Sequence, residues 1–236
     1  VSSTDLPQVV PAGDAALLAT FANEIRLEVN ARVRTVARAL DERAEPGILE
    51  SVVAYATLLV HYDPLRLSYE QARALLLEVA AVATAATGED SRLVDLPTVF
   101  GGAYGPDLPD IAQRLGMAEE QLIQAFIQPT YTVYMLGFAP GHPYLGGLPP
   151  QLAMPRLESP RARVPAGTVA IANQATIYSL TSPGGWHWLG RTPIKMFDPS
   201  RNPPTHLQAG DRVRFVPISE QEYLRLGGQD EEKPER

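Results

Sequence analysis

Glycine and proline crowd the second half of this chain, and that crowding limits what it can fold into. From Gln128 onward the two residues break the sequence again and again. Proline fixes φ and removes a backbone donor, and glycine weakens any helix it enters. The runs left between the breaks are short and rich in β-branched residues: 131–136, 168–172, 176–180, 194–197 and 211–217. Short strands at this spacing argue for a closed or nearly closed β-barrel. Two short helices, at 107–115 and 118–126, precede it.

The first half reads differently. Residues 6–11 and 15–21 are short strands around Gly13 and Asp14. From 23 to about 43, Ile25, Val29, Val33, Val36 and Leu40 recur at three- and four-residue steps, which is helix spacing. Glu45, Pro46 and Gly47 end that helix. Residues 48–54 and 57–62 read as a strand pair. Ser68 followed by Gln71 is a capping box. The helix it opens runs to Thr87 and Gly88, and 93–99 is a last strand. This order fits a split β-α-β-β-α-β sheet with both helices on one face. The fold class is α+β: a small domain over 1–95, a barrel over 96–219, and a charged tail over 220–236 expected to be disordered.

Composition removes several functions. Apolar residues make up 45% of the 236, enough for a sizeable core. The net charge of -7 repels phosphate backbones, so no nucleic-acid partner is expected. Cysteine is absent, which removes disulfides, thiolate metal sites and cysteine nucleophiles and fits a cytoplasmic location. No apolar stretch is long enough for a membrane helix, and no signal peptide is visible. The four histidines show no ligand spacing, so no metal site is predicted. No glycine run has the form of a Walker or dinucleotide loop.

Two loops carry the chemistry the sequence offers. Residues 137–149 hold so many glycines and prolines that their shape is fixed, with His142 at the centre. His142 is the best general acid/base candidate, because imidazole titrates near neutrality. A carbonyl-bonded loop histidine is the plain alternative. In the second loop, 182–186, Gly184 and Gly185 expose backbone N–H groups that suit an oxyanion. A hairpin turn with Trp186 packed beneath it is the plain alternative. Arg156, Arg161, Arg163 and Arg191 lie near these loops in an acidic chain. Arginine captures carboxylates and phosphates through paired bonds, and a surface ion pair is the plain alternative for any one of the four. Gln174 and Thr176 are polar positions in an apolar stretch and suit a pocket lining, and an exposed barrel face explains them equally. The expected anion site is Arg163, Gln174, Gly184, Gly185 and Arg191, with His142 as the catalytic residue.

Several of these runs together resemble a known family. Residues 131–141 and 144–149, Pro155 with Arg156, Pro160 with Arg161, 164–167, 182–186, 190–193 and 204–215 look like its ordered signatures. That family holds the B subunit of bacterial 5-oxoprolinase, allophanate hydrolase subunit 1 and a sporulation histidine-kinase inhibitor, and it recurs as a carboxyltransferase region inside urea-processing enzymes. The resemblance implies a cyclophilin-like barrel after a small α/β domain. It implies a 5-oxoprolinase-type amidohydrolase subunit that handles ATP without a Walker motif. It also implies a homologous barrel partner, like the C subunit of 5-oxoprolinase or allophanate hydrolase subunit 2, and a further ring-opening subunit. A kinase inhibitor and an allophanate or urea-processing carboxyltransferase component are the alternatives. His142 stands where the family usually carries an apolar residue such as Phe, and Phe126 where many relatives carry histidine.

Overall fold

The computed structural model describes residues 6–83 and 91–228. The chain forms two compact units, Val1–Ser91 and Arg92–Arg236.

In the first unit β1 (Gln8–Pro11) and β2 (Ala16–Thr20) form a hairpin, as do β3 (Ile48–Val53) and β4 (Thr57–Tyr62). They make one antiparallel sheet of order β1-β2-β4-β3. Alternation along β4 buries Leu58, Val60 and Tyr62. Helix α1 (Leu27–Arg43) sets Val29, Val33, Val36 and Leu40 against that face. Helix α2 (Tyr69–Val82) adds Leu75, Leu76 and Val79 to the same core. The Ser68 capping box forms as read: its hydroxyl accepts from the Gln71 N–H, and the Gln71 side chain accepts from the Ser68 N–H. The expected continuation of α2 to Thr87 and Gly88 lies outside the described residues.

The sixth element of the expected split sheet is elsewhere. β5 (Leu93–Phe100) belongs to the second unit, where it runs parallel to β13 (Arg212–Pro217) from Leu93 opposite Arg212 to Thr98 opposite Pro217. A boundary after residue 95 would cut this strand. An apolar strand shows only that it is buried, and not in which sheet.

Five further strands complete the barrel: β6 (Tyr131–Leu136), β7 (Pro143–Gly146), β9 (Thr168–Ile171), β10 (Ala175–Ile177) and β12 (His187–Arg191). The circular order is β10-β7-β6-β13-β5-β12-β9, and β9 pairs with β10 to close it. A separate two-stranded ribbon joins β8 (Arg161–Val164) to β11 (Ser182–Gly184). The expected barrel is therefore present. Residues 194–197 do not form the strand expected there; Phe197 makes only an isolated bridge to Thr205.

Val133, Leu145, Val169, Ile171, Ala175, Ile177, Leu189 and Val213 fill the barrel. Helices α3 (Leu108–Leu115) and α4 (Glu119–Ile127) add Leu108, Ile111, Leu122 and Phe126 to this core. Phe126 has no exposed surface and packs on the rings of Tyr131 and Phe215, with centroids 5.3 and 4.9 Å away. Removing such a ring costs ~3–5 kcal/mol. The expected loose tail is not loose at its start. Helix α5 (Glu220–Arg225) is capped by Ser219 and buries Tyr223 against Tyr104, with ring centroids 4.8 Å apart.

Candidate functional site

Strand alternation gives the barrel wall two faces. Val169, Ile171, Ala175 and Ile177 point inward, while Ala170, Ala172 and Tyr178 face out with Val164, Trp186, Trp188 and Tyr144. His142 and Thr176 join this outer aromatic layer. The edges or faces of Phe138, Tyr144 and Tyr178 surround the imidazole, each with its centroid 5.2 to 5.3 Å away. The turn that carries His142 is closed by the Gly137 N–H to the His142 carbonyl at 3.0 Å and by the His142 N–H to the Ala139 carbonyl at 3.1 Å. Gly141 sits at φ 71°, and a Cβ there would lie 2.9 Å from the Met196 carbonyl oxygen. Phe138 holds φ 74° without being glycine, and its ring is exposed.

The hydrogen bonds define the imidazole tautomer. The Thr176 hydroxyl lies 2.6 Å from the Pro143 carbonyl and 2.7 Å from His142 Nε2. A carbonyl cannot donate, so the single hydroxyl proton goes to Pro143. Nε2 must then carry its own proton and donate it to Thr176 Oγ1. Nδ1 is left as a bare acceptor, buried and without a partner among the described residues. Burial pushes the imidazole down from its usual value to about 4. At neutral pH His142 is uncharged and has no proton to give from Nδ1, so it is suited to accept a hydrogen bond and not to act as a general acid.

The four arginines near the loops have four different environments. Arg161 makes a two-pronged pair with Asp107, at 3.0 and 2.5 Å, and lies over the Trp188 ring at 4.7 Å. Asp107 Oδ2 also accepts the Trp188 N–H at 2.8 Å. This arginine is committed to the fold. Arg156 stacks over Trp186 at 5.3 Å. Arg163 is exposed on β8. Arg191 is 7% exposed, and its Nε donates to the Ala166 carbonyl at 2.8 Å.

Arg191 lines a cavity of about 350 Å³ together with Gly167, Ser179, Thr192, Lys195 and Asp198, and Tyr223, Gly227 and Gly228 also line it. Its floor is stitched by backbone bonds: the Gly167 N–H to the Tyr178 carbonyl at 2.7 Å, and the Thr192 N–H to the Gly167 carbonyl at 2.9 Å. Gly167 holds φ 83°, and a Cβ there would sit 2.4 Å from the Thr192 carbonyl oxygen. The Ser179 hydroxyl is buried and meets no partner among the described residues. The Asp198 carboxyl is held below its usual range, chiefly by hydrogen bonds from the Ser200 side chain and backbone, so it stays ionised.

Among the six residues expected at the site, Arg191 alone lines this cavity. His142 lies in the outer aromatic layer, and Arg163 and Gln174 do not border the cavity. Gly184 and Gly185 serve packing. A Cβ on Gly184 would collide with the Tyr178 phenol oxygen at 2.0 Å, and the Gly185 carbonyl accepts the Leu157 N–H. Ser179, Thr192 and Lys195 carry no mark of a site in the sequence. A serine just after an apolar run has no signal of its own, and Lys195 lacks a biotin-attachment context. No cluster of three potential metal ligands occurs among the described residues, and no helix there is long and apolar enough to cross a membrane.

The closed barrel, its flanking helices and the small sheet-and-helix unit together are the fold of a carboxyltransferase-type region. Residues 7–207 match the family of the carboxyltransferase domain, subdomain C and D, and the chain belongs to that family. Within it, the chain is 39% identical over 227 residues to the B subunit of 5-oxoprolinase from Bacillus subtilis, covering 92% of this chain and 95% of that one. The crystal structure of TTHA0988 is 38% identical with a TM-score of 0.79, and the match covers 93% of this chain and 41% of that one. This chain thus corresponds to less than half of TTHA0988. Urea carboxylase of Kluyveromyces lactis has the same fold at 20% identity, with a TM-score of 0.75 over 93% of this chain and 22% of the enzyme.

Proposed function

We propose that the chain is the B-type component of an ATP-dependent 5-oxoprolinase. The enzyme would open 5-oxo-L-proline to L-glutamate with hydrolysis of ATP to ADP and phosphate. The observation that carries this reading is the match to the 5-oxoprolinase B subunit along nearly the whole of both chains. The chemistry agrees with it. A lactam is a poor electrophile, and phosphorylating its oxygen would activate it. Such a step needs cations and fixed donors around an oxyanion, and Arg191 and Lys195 border one cavity. The reading includes a homologous barrel partner of the C type, a separate ring-opening subunit and a cytoplasmic setting. ATP contacts are assigned to the assembly and not to a Walker motif in this chain.

The test is ATP-dependent conversion of 5-oxoproline to glutamate, measured with the chain alone and with the products of adjacent genes. Turnover only in the mixture is the expected result. Full turnover by the isolated chain would remove the partner requirement. No turnover with every adjacent product present would refute the activity.

A further inference from the structure

Ser179 is 5% exposed, and its hydroxyl finds no donor or acceptor among the described residues. Leaving such a group unbonded is unfavourable, and native folds rarely do so without a use for it. Ser179 borders the same cavity as Arg191 and Lys195. The surroundings are rigid, because Arg191 Nε is tied to the Ala166 carbonyl and the floor is cross-linked through Gly167. Among the described residues that line the cavity, Arg191 and Lys195 are cationic and Asp198 is anionic. The Asp198 carboxylate is already engaged, with Oδ1 accepting from the Ser200 N–H at 3.0 Å and the Ser200 hydroxyl at 2.6 Å.

We propose that this cavity is a binding site for a small oxyanion, a carboxylate or phosphate, held by Arg191 with Ser179 supplying a neutral donor and Lys195 a second charge at the exposed side. A hydroxyl turning about its Cα–Cβ bond can offer its proton to an anion that the guanidinium has already placed. The volume, about 350 Å³, lies at the small end of ligand pockets. That favours a compact acid over a whole nucleotide. The C-terminal segment closes one side, since Tyr223, Gly227 and Gly228 line it. A Cβ on Gly228 would overlap the Tyr223 ring at 2.2 Å, so the chain passes directly against that ring. The place of this site in the reaction rests on the function proposed above; its affinity for an oxyanion does not.

The experiment uses the full chain without partners, titrated calorimetrically with inorganic phosphate and, separately, with 5-oxo-L-proline. Saturable binding of either probe to one site is expected. Phosphate alone would assign the site to a transferred or released phosphate, and 5-oxoproline to a substrate carboxylate. Ser179→Ala should weaken the bound probe by about tenfold, the usual worth of a hydrogen bond to a charged group. It should not lower the melting temperature, because the hydroxyl it removes has no partner among the described residues. Arg191→Lys keeps the charge but loses the planar fork, and should weaken binding by at least about tenfold. Binding of neither probe by the parent would overturn the site. So would unchanged affinity in both variants. A clear loss of melting temperature in Ser179→Ala would also overturn it, since the hydroxyl would then be a structural bond. Each of these readouts is independent of turnover in the assembled enzyme.

Discussion

His142→Phe should make the barrel unit less sensitive to acid. In the fold the imidazole is 3% exposed and titrates at about 4; in the unfolded chain it titrates near 6.5. Its folded value is the lower one, so the unfolded chain takes up the proton first as pH falls. Stability tied to this group is complete above about 6.5, declines from there toward 4 and is level below that. Each tenfold difference in proton affinity is worth about 1.4 kcal/mol, so the whole effect is about 3 kcal/mol. At pH 4.5 about 2.5 kcal/mol of it has been lost. Phe cannot take a proton, and it is the residue expected here from the family resemblance.

The chain reports on this unit directly. Its two tryptophans, Trp186 and Trp188, both lie in Arg92–Arg236 and near the His142 layer. Urea unfolding followed by tryptophan emission at pH 7.5 and 4.5 therefore measures the barrel without a contribution from the first unit. Carboxylates will also cost the protein stability in acid, but equally in parent and variant. The difference between the two losses isolates His142. A difference near 2.5 kcal/mol is expected. Equal losses, within about 0.5 kcal/mol, would refute the buried neutral imidazole and with it the tautomer assigned from Thr176 and Pro143.

Asp107→Ala should cost about 3 kcal/mol in the same urea assay, because it strands Arg161 and leaves the Trp188 N–H without its acceptor; a loss below about 1 kcal/mol would show the pair to be dispensable. Gly190→Ala should destabilise the barrel by several kcal/mol, since its Cβ would lie 2.3 Å from the Val99 carbonyl oxygen; a melting temperature equal to the parent's would contradict the close approach of β12 to β5. A fragment beginning at Arg92 should unfold cooperatively, and one beginning at Pro97 should not fold, because it loses four of the six β5–β13 residue pairs; circular dichroism melts of the two fragments decide this.

Much of the fold could be read from local pattern. The helix spacing of Val29, Val33, Val36 and Leu40 and the Ser68 cap depend on neighbours in sequence, and both formed as read. So did the β3–β4 hairpin and the barrel's β6. What failed depended on distant partners. β5 pairs with a strand more than a hundred residues later, and no local signal marks that choice. β7 lay hidden inside a loop read as rigid, because Pro143 and Gly146 look like turn residues until β6 and β10 flank them. The chain after Ser219 looked too polar to be anchored, yet Tyr223 anchors its helix α5.

The site was harder to read because proximity in sequence does not decide which side of a barrel wall a residue faces. Leu189 points into the core, and regular alternation would send Arg191 after it. The register prevents this. Trp188 pairs with Ala170 and Gly190 with Val169, so two residues of β12, Leu189 and Gly190, oppose one of β9. The bulge shifts the count by one and brings Arg191 opposite Thr168, on the outward face. A guanidinium inside the apolar barrel would have no polar group to meet, which is untenable; outside the barrel, Arg191 is fixed to the Ala166 carbonyl and borders the cavity. Gly190 is what permits the bulge, because the backbone of β5 leaves no room for a side chain there. The feature that distinguishes Arg191 from Arg161 is therefore the glycine before it. The arginines themselves look alike in the sequence; Arg161 pairs with Asp107, and the register of β12 brings Arg191 to the cavity.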